Sequence, residues 1–174
     1  MFETHSLSVD NERGYATGWL PGRLSERGRA LAKELGARRR DDGIAAVFTS
    51  DLARAVETAE IAFAGTGMPV YRDERLRECN YGALNGMPVA ELEAVRPLHV
   101  DDPFPGGESW RQAVQRVRGF LDELARTRDG RRVLVIGHTA TRCSLDHYAN
   151  GAALEDLVGA PFEWREGWVY RVSA

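Results

Sequence analysis

Two short stretches of the chain are apolar almost without interruption, and around them apolar residues recur at helical spacing. "IAAVFTS" (44–50) and "RRVLVIGH" (131–138) read as strands buried on both faces, because a strand covered on one face only would alternate. After Ser50, Leu52, Ala55, Val56, Ala59 and Phe63 share one helical face. From Ser109 the stripe is clearer, through Trp110, Ala113, Val114, Val117, Leu121 and Leu124. Ser109 and Gln112 have capping-box spacing at its start. Another helix begins near Ser25, carries Leu31 and Leu35, and stops around "RRRDDG", which reads as a solvated helix end. Strands alternating with helices predict an α/β fold with a mostly parallel central sheet, in one domain over residues 1–174.

Ligands of such sheets bind beyond the carboxyl ends of the strands, in the loops that lead into helices. Ser50 and His138 close the two apolar runs at such positions. His5 does the same for a first strand, but only Met1 to Thr4 precede it. That strand is therefore very short, or the natural start lies upstream. Residues 82–108 are richer in Gly and Pro and read as an excursion over the sheet.

Composition narrows the partners. The net charge of −3 argues against a nucleic-acid footprint. No apolar run reaches the length of a membrane span and no signal-peptide pattern opens the chain, so a cytoplasmic protein is expected. Cys79 and Cys143 form neither a disulfide framework nor a metal-ligand spacing. Cys79 reads as a packing or pocket residue, and His99 and His147 as exposed side chains. Lys33 is the only lysine; this bias toward arginine suits phosphate recognition, but a GC-rich coding sequence explains it as well.

Four residues carry candidate chemistry: His5, Arg54 in "SDLARAVETA", Glu78 in "RLRECNYGALNG", and His138. Each has a plain structural reading when taken alone, as an exposed His, a surface Arg, a local cap or a strand-end His. Together they suit phosphoryl transfer. A neutral imidazole attacks phosphorus, and a guanidinium binds phosphoryl oxygens through paired hydrogen bonds. A second imidazole stabilises equatorial charge, and a carboxyl group protonates the leaving alkoxide.

The ordered set resembles the histidine phosphatase superfamily, in its phosphoglycerate mutase-like branch. "THSLSVDNERGYATGWLPGRLSERG" keeps His5, Ser8, Asn11, Gly14, Gly18, Trp19, Leu24, Ser25 and Gly28 in the register of that family's first block. "SDLARAVETAE", "RLRECNYGALNG", "PGGES" and "VLVIGH" resemble its later blocks in the right order. The resemblance implies a three-layer α/β/α sandwich and a metal-independent phosphatase working through a phosphohistidine. It places the nucleophile at His5, the acid at Glu78, the electrostatic partner at His138 and the phosphate clamp at Arg54. Asn11, Thr4 and Ser8 would add hydrogen bonds to the phosphoryl group, and Trp19, Tyr81 and Thr139 would shape the pocket. The implied partner is a small phosphorylated substrate, with no cofactor, metal, nucleic acid or membrane; a homodimer is left open.

The pattern breaks at position 4, where the resemblance expects an arginine and the chain has Thr4; Ser6 and Leu7 also depart from it. Losing one charge-assisted hydrogen bond costs roughly 1.5–3 kcal/mol. Arg13, Arg77 and Arg142 are the candidate replacements. A phosphatase is the first expectation. A weakened or inactive phosphate-binding or scaffold protein is the alternative, and a phosphomutase comes third.

Overall fold

The computed structural model describes residues 1–172. Its sheet holds four parallel strands, β1 (Phe2–Thr4), β2 (Ala46–Thr49), β3 (Val70–Arg72) and β4 (Val133–Gly137), in the order β1-β4-β2-β3. The two apolar runs became the central strands β2 and β4, and every residue of β4 is buried. β1 is three residues long. It pairs Phe2, Glu3 and Thr4 with Val135, Ile136 and Gly137, and so sets His5 beside His138.

Among the described residues there are seven α-helices: α1 (Val9–Glu12), α2 (Glu26–Arg39), α3 (Ala53–Ala62), α4 (Val89–Val95), α5 (Trp110–Thr127), α6 (Thr139–Asn150) and α7 (Leu154–Gly159). Alternation along β4 divides the core. Leu134 and Ile136 join Leu35, Val47, Ala59 and Phe63 under α2 and α3. Val133 and Val135 join Phe2, Val117, Leu121 and Leu145 under α5 and α6. The result is a three-layer α/β/α sandwich. A third cluster, around Tyr81, Leu92, Phe104, Trp110 and Leu154, supports α4, α7 and the start of α5.

The α5 stripe is buried at all six expected positions, and the Ser109–Gln112 capping box forms. α3 differs from expectation. Its buried face is Arg54, Ala55, Thr58, Ala59 and Ala62, while Leu52 and Val56 are only partly covered. The face turns because Arg54 lines the cavity and Thr58, four residues on, bonds the Arg54 carbonyl and Ser6 N–H behind it.

The "RRRDDG" run is not merely a solvated end. Strand alternation drives Glu3 into the core on the α2 side, where an unpaired carboxylate would be costly. Arg39 meets Glu3 through Nε at 2.8 Å and Nη2 at 2.6 Å, and also bonds Asp42 and the Glu166 carbonyl. Burial still pushes the Glu3 carboxyl up, against the pull of Arg39. Residues 82–108 contain α4 between two 3₁₀ turns. They are tied to the N-terminal loop by Ala16 N–H to Met87 O and Val89 N–H to Gly14 O, both 2.8 Å.

Candidate active site

Beyond the carboxyl ends of β1, β2 and β4 lies a cavity of about 660 Å³. His5, Arg54, Glu78, His138, Thr4, Asn11, Tyr81 and Thr139 all line it. The two imidazoles stand 5.0 Å apart, ring centre to ring centre, with planes 52° from parallel.

Their hydrogen bonds fix their tautomers. His5 Nδ1 lies 2.7 Å from the Ser6 carbonyl, which can only accept, so Nδ1 carries the proton and Nε2 keeps its lone pair. Arg54 Nε donates to that Nε2 at 3.2 Å. For His138 the bonds run the other way. Arg54 Nη2 approaches Nδ1 at 3.4 Å, so Nδ1 is bare and Nε2–H donates to Ser50 Oγ at 2.6 Å. Burial first, then the Arg54 charge, pulls His5 down to about 3 and His138 well below its ordinary value. Both rings are neutral at pH 7.

Arg54 is fixed from behind. Nη2 donates to the Gly18 carbonyl at 2.9 Å, and Thr58 Oγ1 donates to the Arg54 carbonyl while accepting from Ser6 N–H. Its Nη1 is buried with no partner. Burial lowers the guanidinium's pKa, with Glu78 opposing, but an arginine starts so high that it keeps its charge.

Glu78 sits at the start of α6. Its Oε1 accepts from Cys79 N–H and Ala140 N–H, both at 2.9 Å, and Oε2 accepts from Thr139 N–H at 3.2 Å. Two of these donors are amides that the helix itself leaves free. Trp19 does not line the cavity. It lies behind the acid, its indole N–H donating to the Glu78 carbonyl at 2.6 Å and its ring facing the Arg77 and Arg116 guanidiniums. Ser8 is fully buried and caps α1, in a reciprocal bond with Asn11. That cap takes Asn11 Oδ1 and leaves its Nδ2 for a ligand.

None of the three candidate replacement arginines lines the cavity. Arg77 is paired with Asp51, and Arg142 with Asp146 against Phe162 and Trp168. His99 and His147 are partly buried rather than exposed, with Nδ1 against the Asp102 and Ala152 carbonyls. Burial raises both cysteine thiols, Cys143 to about 12, so neither is a thiolate at neutral pH. Among the described residues, no group of three or more His, Cys, Asp or Glu is placed to hold a metal, and no helix is long and apolar enough to cross a membrane.

Sequence reasoning placed Ser50 at a ligand-facing strand end without giving it a role, and missed three other contributors. Thr58 was visible only as a polar residue beside buried apolar ones. Asn85 Oδ1 accepts from Trp19 N–H and Tyr81 N–H, joining two loops; a Cβ on Gly18 (φ +56°) would stand 1.8 Å from that oxygen. Arg96 is buried in the cavity wall with an unpartnered Nε, donating through Nη2 to the Ala160 carbonyl. No sequence signal separates it from the surface arginines.

The family model of the histidine phosphatase superfamily, branch 1, matches residues 4–164. The chain belongs to that superfamily. It is 33% identical to a 2,3-bisphosphoglycerate-dependent phosphoglycerate mutase of Methylobacterium sp. (strain 4-46), over 98% of this chain and 89% of that one. It is 34% identical to phosphoserine phosphatase 1 of Hydrogenobacter thermophilus, over 78% and 68%. Among solved structures it is similar to Bacillus stearothermophilus YhfR, with TM-score 0.82 and 28% identity, over 95% of this chain and 86% of that one. It is also similar to the mycobacterial glucosyl-3-phosphoglycerate phosphatase Rv2419c in complex with VO3, with TM-score 0.78 and 25% identity, over 92% and 85%.

Proposed function

We propose that the protein is a phosphomonoester hydrolase that acts on a small phosphorylated metabolite through a phosphohistidine on His5. One observation carries the reading: His5 Nε2 is unprotonated on the cavity side, met only by the long Arg54 Nε–H bond at 3.2 Å, beside an Arg54 Nη1–H that has no partner. A phosphoryl group supplies what both lack, an electrophile and an acceptor.

His5 Nε2 attacks phosphorus, forming a P–N bond as the ester P–O bond breaks. Arg54 and His138 bind the equatorial oxygens. The incoming dianion reverses the electrostatics at His138 and favours a proton on Nδ1. Glu78, in its acid form, gives its proton to the leaving alkoxide. Water then attacks the phosphohistidine, Glu78 takes the water's proton, and phosphate departs with His5 restored. Thr4 supplies one neutral hydrogen bond where the family resemblance expects a charge-assisted one.

Phosphate release from phenyl phosphate, without added metal and in the presence of chelator, tests the reading. A labelled acid-labile, base-stable phosphoprotein should form in the parent and not in His5→Ala. No release from any phosphomonoester would leave a phosphate-binding protein instead. The mutase names among the relatives favour a second reading. In that case phosphate would move between substrate positions with little release.

A further inference from the structure

The cavity does not end at the phosphoryl corner. It passes Thr4 and Ser6 into a groove along the outer edge of β1, between α2 and the segment before Trp168. The groove exists because the edge is only half covered. Ladder parity points the N–H and C=O of Phe2 and Thr4 away from β4. Trp168 takes both of Phe2's groups at 2.9 Å, while Thr4's pair has no partner among the described residues. At Gly167 (φ +83°) the segment turns away, with Arg39 and Glu3 packed where a Cβ would stand. Residues 162–166 therefore form the far wall of an open channel instead of pairing with Thr4.

The lining of this channel is unlike the phosphoryl corner. Leu7, Leu31, Leu35 and the rings of Phe162 and Trp164 give it an apolar stripe, and the charged Arg27, Glu34, Arg38 and Glu166 complete its lining. The two rings are 40% and 59% exposed. The cavity volume falls in the range that takes drug-sized ligands, far more than a phosphoryl group needs. Thr4, next to His5 in the chain, lines the same cavity, and a longer side chain there would take up part of its space.

We propose that the apolar or aromatic body of the substrate's alcohol lies in this groove, and that the short Thr4 side chain is what admits it. The proposal rests on the hydrolase reading and deepens it. Thr4 becomes a specificity-determining residue, trading a phosphate contact for room beside the nucleophile. The leaving oxygen stays at Glu78 while the carbon body extends along the β1 edge.

Three esters with similar alkoxide leaving groups test this: ethyl, hexyl and 2-(2-naphthyl)ethyl phosphate. Each buried methylene is worth about fourfold, so kcat/KM for the two larger esters should exceed that for ethyl phosphate by about tenfold or more. Thr4→Arg and Trp164→Ala should each reduce that ratio about tenfold. A ratio near one in the parent, or a ratio unchanged in both variants, overturns the proposal. Binding of ethyl- and hexylphosphonate by calorimetry separates the two readings. If no ester is hydrolysed but hexylphosphonate binds at least tenfold tighter, and loses that margin in Trp164→Ala, the groove stands and the hydrolase reading falls. If esters are hydrolysed without regard to chain length, the reverse holds.

Discussion

Ser50→Ala isolates the contact that sets the His138 tautomer. Ser50 Oγ and His138 Nε2 are 2.6 Å apart, and both residues are all but inaccessible to solvent. Removing the hydroxyl leaves a buried N–H without an acceptor, a loss of about 1–3 kcal/mol in stability. His138 has no escape by moving its proton, because Nδ1 faces an Arg54 N–H at 3.4 Å. Activity should fall for a further reason. In the proposed mechanism the ring is cationic in the transition state, and its bond to Ser50 is then charge-assisted, worth about 1.5–3 kcal/mol against roughly 1 in the free enzyme. The difference, roughly 0.5–2 kcal/mol, lowers kcat/KM by about two- to thirtyfold. The assay is phosphate release alongside urea unfolding. Thr49→Val is the control next door, since Thr49 Oγ1 is buried with no partner and its removal should be neutral or stabilising. If Ser50→Ala keeps both stability and kcat/KM, or if Thr49→Val loses as much, the tautomer assignment is wrong.

Glu78→Gln should slow esters with poor leaving groups far more than aryl esters with good ones, by about 10²-fold or more; equal losses across a leaving-group series would remove Glu78 from the acid role. Stability should fall as pH drops below 6.5, because the unfolded chain then protonates two histidines that the fold keeps neutral, His5 down to about 3. Each contributes a slope of about 1.4 kcal/mol per pH unit between those limits. His5→Asn should remove one such slope from denaturation midpoints followed between pH 7 and 5, and an unchanged slope would refute the assignment. Glu3→Ala should destabilise by about 3 kcal/mol or more, because it strips a buried partner from Arg39. A urea midpoint within error of the parent would show that pair to be inert.

How much of this was legible depended on whether the determining contact was local. α5 was readable because its stripe and its capping box lie within one helix. β4 was readable because a strand buried on both faces needs no partner to be recognised. β3 was not, because all three of its residues are exposed at the sheet edge and leave no hydrophobic pattern. The face of α3 was misjudged because Arg54 and Thr58 are buried for what they bind rather than for what they exclude from water. Arg39 fell within a run read as a solvated helix end and Glu3 was not singled out, since their pairing spans the chain from β1 to the end of α2. Motif order brought His5, Arg54, Glu78 and His138 onto one cavity. It could not tell that Ser8 closes a helix, that Trp19 lies behind the acid, or that the arginines near the cavity are not the three named from sequence.

The loop from Gly14 to Trp19 has a mechanical consequence. Its Gly18 carbonyl steadies the Arg54 guanidinium, and the next residue's indole grips the Glu78 backbone. Asn85 clamps the same loop to the segment after the acid. Arg54 and Glu78 therefore hang from one bracket and cannot be tuned separately by changes there. In the proposed mechanism a shift of that bracket would retard phosphorus capture and alcohol departure together, which would channel evolutionary drift in substrate choice to the walls farther out.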